Sequence, residues 1–182
     1  MSEHSDQRSD PDRDVPAGMF DELTGLPARA LLMDRLEQAA YRSARSGDPI
    51  AVFVLDLDAL SRVGEVLGED AADVLLREVA ANVRATMRRT DTVARLGERR
   101  LAVVCEAPDR GIATIVERVS RVTRETLELD GGSPDQLDSV IGVAFADGSE
   151  GPEQVLERAE AARARSHELG RGHVLFGQQT PG

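Results

Sequence analysis

Two aspartates, Asp56 and Asp58, close the apolar run IAVFVLDLDAL at residues 50–60. In a strand their alternate spacing sets both carboxylates on one face, where oxygen donors can hold a hard divalent cation. The same pair can equally end the sheet and cap the turn that follows. A second stretch with chemical potential is ARLGERRLAVV, residues 94–104, which reads as strand, tight turn and strand. Just past its lone Gly97 come Glu98, Arg99, Arg100 and Leu101. Arginines gathered in such a turn can face solvent or meet an anion. The single cysteine, Cys105, sits in an apolar run and reads as a buried structural thiol rather than a nucleophile. Being alone, it excludes an internal disulfide and a cysteine zinc cluster.

The elements that must position these residues alternate along the chain. LPARALLMDRLEQAAYRSARSG carries helical spacing at Leu31, Leu32, Leu36, Ala39 and Ala40, and stops near Gly47. The strand bearing Asp56 follows. EDAADVLLREVAANVRATM then puts Ala72, Leu75, Leu76, Val79, Val83 and Met87 on one helical face. TVAR and LAVVCE form a hairpin, and the next helix turns Ile112, Ile115, Val116, Val119 and Val122 inward. After a DGGSPDQ loop, SVIGVAFA is a strand, GPEQVLERAEAARARSHELG a helix and HVLF a short last strand. The order predicts an α+β sandwich, with helices packed on a mostly antiparallel sheet of five strands. Residues 1–18 are polar and charged and predict a mobile tail ahead of one domain over 19–177, with a frayed end at 178–182.

Composition bounds the function. With 182 residues and 41% hydrophobic content the chain suits one domain with a real core. No apolar run approaches the roughly 20 residues of a membrane-spanning helix, and the N-terminal stretch has no signal-peptide apolar segment; the expected location is cytoplasmic. A formal charge of −11 argues against nucleic acid as a partner. A polyanionic ligand would need arginines brought together locally, and arginine supplies every basic residue except the histidines, since lysine is absent.

Four stretches in order, DELTGLPAR (21–29), VLDLDALSRVGEVLGEDAADVLLREVA (54–80), RRTDTVARLGERRLAVV (88–104) and AEAARARSHELGRGHV (159–174), resemble the GGDEF, or diguanylate cyclase, family. The likeness implies a palm-like sheet similar to that of nucleotide cyclases. It also implies a reaction joining two GTP molecules into cyclic di-GMP across two facing domains. Such chemistry needs divalent metal, expected as magnesium, to hold the triphosphate and activate the attacking hydroxyl. By the resemblance Asp56 is the first-strand metal ligand and Asp58 the second acid of the pair. The five signature residues fall on Gly97, Glu98, Arg99, Arg100 and Leu101, so both acidic positions are arginine and the second glycine is glutamate. A guanidinium repels a cation and cannot deprotonate to escape. Glu98 stands one residue early, and in a hairpin that shift re-aims a side chain. No catalytic residue of the turn is expected to be intact, and no metal cofactor is expected unless cyclase activity or GTP binding persists.

The nucleotide-binding positions are thinned as well. Gly64 stands where the family carries an asparagine that reads guanine, and Asp73 matches the second guanine-reading position. His167 replaces a phosphate-facing lysine, Arg171 matches the arginine after it, Ser61 replaces another lysine and Ala28 an asparagine. Arg88 and Asp91 fit the R-x-x-D arrangement that many members use as an inhibitory cyclic di-GMP site. Arginine can bond guanine O6 and N7 bidentately, while the carboxylate accepts from guanine N–H groups. The same spacing also occurs at Arg45 and Asp48, so it is a cheap pattern in this chain. Three functions follow as expectations. The first is an inactive GGDEF-like domain binding cyclic di-GMP or a protein partner, the second a diguanylate cyclase of low activity. The third is a nucleotide-independent interaction module, for instance a homodimer.

Overall fold

The computed structural model describes residues 18–106, 111–128 and 139–170, and the backbone of a strand at 174–176. The expected tail, the DGGSPDQ loop, Arg171 and the C-terminal end lie outside the described residues. The sheet is built around β1 (Ile50–Asp56), whose seven residues are all buried. β2 (Thr92–Gly97) and β3 (Arg100–Glu106) form the expected hairpin, followed by β4 (Val140–Ala146) and the short β5 (Val174–Phe176). Their spatial order is β2-β3-β1-β4-β5. The first four pair antiparallel, and β5 adds in parallel to β4.

A central strand with neighbours on both sides sends alternate residues to opposite faces, and here both faces are covered. Ala51, Phe53 and Leu55 belong to a core with Leu75, Leu76, Val79 and Val83 of α3 (Glu69–Thr86) and Val116 and Val119 of α4 (Ile112–Glu128). Ile50, Val52 and Val54 pack with Leu32, Leu36 and Ala39 of α1 (Arg29–Ser46) and Val155, Leu156 and Ala159 of α5 (Pro152–Glu168). That doubly covered strand reads as a continuous apolar run because neither face meets water.

Two features depart from the sequence reading. A separate helix, α2 (Ala59–Leu67), stands between β1 and α3 and breaks from α3 at Gly68, whose φ is +92°. Its pattern is weak because only Ala59 and Leu60 are buried and Gly64 interrupts it, glycine being a poor helix former. The second departure is that β1 stops at Asp56, so Asp58 lies outside the strand, at the helical N-cap of α2. The alternation argument fails at this point because the backbone has already turned helical, with φ −55° and ψ −25° at Asp58.

One close approach governs how α5 meets the sheet. A Cβ added at Gly142 in β4 would lie 2.0 Å from the Arg163 amide nitrogen and 2.3 Å from the Ala159 carbonyl oxygen. Glycine is therefore required there for space, and it lets α5 settle one side chain closer to β4.

Candidate functional site

At the end of β1, the strand register sets Asp56 opposite Arg100 of β3, and the Leu57 amide donates to the Arg99 carbonyl at 2.9 Å. The acid and the turn are thus neighbours, as the sequence implies. Asp56 is buried, and its Oδ2 accepts from Arg163 Nη1 of α5 at 2.5 Å. Glu160, one turn earlier on α5, stands 3.5 Å from Arg163 Nε and accepts from Arg100 Nη1 at 3.3 Å. Two carboxylates and two guanidiniums therefore neutralise one another. Burial, together with the neighbouring Asp58 carboxylate, pushes the Asp56 carboxyl up to about 6, against the pull of Arg163 and Arg100. Asp58, exposed, pairs with His167 Nε2 at 3.2 Å.

A divalent cation would need several oxygens converging on this spot. Among the described residues no three of His, Cys, Asp and Glu stand close enough together to hold one. Besides Asp58, the charged groups acting on Asp56 are Arg163 and Arg100, so the donor set does not fit magnesium. Gly97 itself has an ordinary backbone, and an added Cβ would meet nothing nearer than the Arg100 guanidinium at 3.9 Å. The strand register shifts between Arg95 and Gly97, and a glycine suits such a bulge.

On the far side of the turn, Arg99 reaches across to α2 and α3. Its Nη1 donates to Ser61 Oγ and its Nη2 to Glu69 Oε2, both at 2.7 Å. Gly64 makes room for this: a Cβ there would lie 2.6 Å from Glu69 Oε1 and 3.2 Å from Arg99 Nη2. The Arg99–Glu69 pair walls an open cleft of about 380 Å³, with Leu23, Leu60, Ala72, Leu76 and Asp73 as its lining and Glu98 at its rim. Arg95 braces the turn from below, donating to the Gly97 and Glu98 carbonyls and to both oxygens of Asp21. Burial opposes ionisation of Asp21, but hydrogen bonds from Thr24 and Arg95 hold its carboxyl below the usual range. Ala28, by contrast, is the N-cap of α1 and has no side-chain capping hydrogen bond.

The R-x-x-D residues gather at the opposite end of the hairpin, about 20 Å away along β3 at 3.3 Å per residue. Asp91 is buried; its Oδ2 accepts from the Arg88 amide at 2.9 Å and fixes the turn between α3 and β2. A second cleft of about 380 Å³ opens here, lined by Arg88, Asp91, Met87, Glu106, Thr114 and Arg118 among others. Arg88 and Arg118 are exposed and make no ion pair among the described residues. Both guanidiniums act on the Cys105 thiol beneath them, whose burial drives its pKa far above the ordinary value. Arg118 escaped the sequence reading because it lies on α4, 30 residues from Arg88 in a chain where arginine is common. Its spacing carried no signal; only the packing of α4 on α3 and the hairpin brings it here.

A sheet of this topology, clad by helices on both faces and ending in an acid beside a hairpin turn, defines a nucleotide-cyclase-like palm domain. The sequence matches the family described as "Diguanylate cyclase, GGDEF domain" over residues 18–173, and the chain belongs to that family. It is 32% identical over 164 residues to the bifunctional diguanylate cyclase/cyclic di-GMP phosphodiesterase MucR of Pseudomonas aeruginosa, covering 89% of this chain and 24% of MucR. Diguanylate cyclase DgcP of the same organism is 33% identical over 157 residues, 86% of this chain and 23% of DgcP. The chain thus spans about a quarter of the length of these relatives. The crystal structure of diguanylate cyclase SiaD from Pseudomonas aeruginosa, in complex with its activator SiaC, superposes with a TM-score of 0.77 at 27% identity. That match covers 88% of this chain and 62% of SiaD. Among the described residues, no helix is long and apolar enough to cross a membrane.

Proposed function

We propose that this chain is a GGDEF domain that does not condense GTP and works in cyclic di-GMP signalling by binding, taking cyclic di-GMP at Arg88 and Asp91. The observation that carries the first half is the ion pair between Asp56 and Arg163, flanked by Arg99 and Arg100 where carboxylates would be needed. The guanidinium bonded to Asp56 sets a fixed positive charge beside the oxygens a metal would use, and Arg100 adds a second from the turn. No step through magnesium follows from these residues.

The binding half is supported by the second cleft. Its two guanidiniums, which make no ion pair among the described residues, suit phosphate oxygens or the O6/N7 edge of guanine. Asp91 accepts from the Arg88 amide and meets the Cys105 thiol, and the lone pairs it keeps suit guanine N–H donors. The volume falls within the range of small-molecule sites. Against an overall charge of −11, this is the local gathering of arginine that a dianionic ligand requires.

Two measurements test the proposal. Incubation with GTP and magnesium is expected to yield no cyclic di-GMP by chromatography; clear turnover overturns the first half in favour of a low-activity cyclase. Calorimetry with cyclic di-GMP is expected to give a saturable isotherm that weakens by about tenfold or more in Arg88→Ala, since one bidentate guanine contact is worth about 1–3 kcal/mol. No heat at high micromolar ligand leaves only a protein partner as the object of binding.

A further inference from the structure

Arg163 was not singled out by its type or spacing, yet it holds the residue on which the family chemistry would turn. It sits on the fourth turn of α5, and its side chain is 18% exposed, while that of Asp56 is 8% exposed. The approach that allows the contact is the close seating of α5 on Gly142. Around it, Asp56, Glu160, Arg100 and Arg163 make an ion-paired set from three elements, β1, β3 and α5, with Asp58 beside Asp56.

We propose that Arg163 is a resident counter-ion in the cation seat of Asp56, so that the seat is silenced from behind by α5 independently of the turn in front. The inference rests on the reading of the domain as catalytically silent, and goes further: putting acids back into the turn does not restore cation binding while Arg163 stays. Its guanidinium both occupies the accepting oxygen and fixes a positive charge within a few ångström of any arriving metal. An ammonium could shed its proton to make way, but a guanidinium cannot. Removing it would leave a buried carboxylate without a partner, which is the state in which a carboxylate takes up a divalent ion.

The test uses Mn²⁺ as the probe, counting free ion by electron paramagnetic resonance, on the full chain. Four proteins are compared: the wild type, Arg99→Asp/Arg100→Glu, that pair with Arg163→Met, and the triple variant with Asp56→Asn added. The first two are expected to show no saturable site. The triple variant is expected to bind one ion at least about tenfold more tightly than the double, from removal of one unit charge at close range, and Asp56→Asn is expected to abolish it. Arg163→Gln, which keeps a hydrogen-bond donor and loses the charge, gives the same reading should the methionine variant fail to fold by circular dichroism. Equal Mn²⁺ affinity in the double and triple variants overturns the inference and leaves the silent-domain reading standing; so does a folded triple variant with no site. Conversion of GTP by the wild type overturns the silent-domain reading itself.

Discussion

Replacing Gly142 with alanine tests the contact on which the site geometry depends. The new methyl would lie 2.0 Å from the Arg163 nitrogen, 2.3 Å from the Ala159 carbonyl oxygen and 2.6 Å from the Arg163 Cα, all of them backbone atoms that cannot swing aside. Ordinary contact begins near 3.4 Å, so α5 must retreat from β4 by roughly 3.4 − 2.0 = 1.4 Å. A gap of 0.5–1 Å already forfeits a quarter to a half of a dispersion contact, and Val155, Leu156, Ala159 and Ala162 all lose some. Overpacking of this kind costs about 1–3 kcal/mol and occasionally more; with backbone on the far side, the upper end, about 3 kcal/mol, is expected. For a domain of this size that is a fall in melting temperature of about 6–12 °C. Urea denaturation followed by far-ultraviolet circular dichroism measures it. Gly47→Ala is the control: its φ of +79° makes alanine strained by about 1–2 kcal/mol, with nothing within 4 Å of the new methyl. A Gly142→Ala variant within about 0.5 kcal/mol of wild type would falsify the close seating of α5, and with it the reach of Arg163 to Asp56.

Three further outcomes are expected. The carboxyl of Asp56 is raised from 3.8 to about 6, so the native state keeps a proton that the unfolded chain has already released. Stability therefore falls as pH rises from about 4 to about 6, by up to about 3 kcal/mol, and denaturant titrations of Asp56→Asn across that range should be flatter. Gly64→Ala pushes on the tips of Glu69 and Arg99 rather than on backbone. It gains about 1 kcal/mol of helix propensity and loses a pair whose acid is 72% exposed, worth about 0–1 kcal/mol. Its stability should stay within about 0.5 kcal/mol of wild type, while the Arg99 side-chain NMR signal moves; a loss above about 2 kcal/mol contradicts the assignment. Cys105, buried with its thiol pKa driven far up, should resist a disulfide reagent at pH 8 in the native protein and react at once in denaturant; rapid native labelling would place the thiol at the surface.

The fold was legible because its signals are repetitive. Seven consecutive buried residues in β1 and the heptad-like faces of α1, α3 and α4 each repeat the same message over several turns. α2 was not legible, since a nine-residue helix with two buried side chains and an internal glycine leaves almost no pattern. At the site, Asp56 and the turn were found as a pair because both lie on adjacent strands in the family order. What stayed hidden was who their partners are. Arg163 and Arg118 look like any other surface arginine until α5 and α4 are docked, and a contact between residues 56 and 163 has no local trace in the chain. Asp91 shows the opposite case. Its spacing to Arg88 was visible, while its work in fixing the turn through the Arg88 amide depends on a backbone angle that spacing does not carry.

The hollow beside Gly64 has a bearing on how such a domain could change over generations. An asparagine at 64 would push into space that Glu69 and Arg99 share, and an aspartate at 99 would face Glu69 across the distance that Arg99 bridges at 2.7 Å. The two positions are therefore coupled through Glu69, and a change at one alters what the other can accommodate.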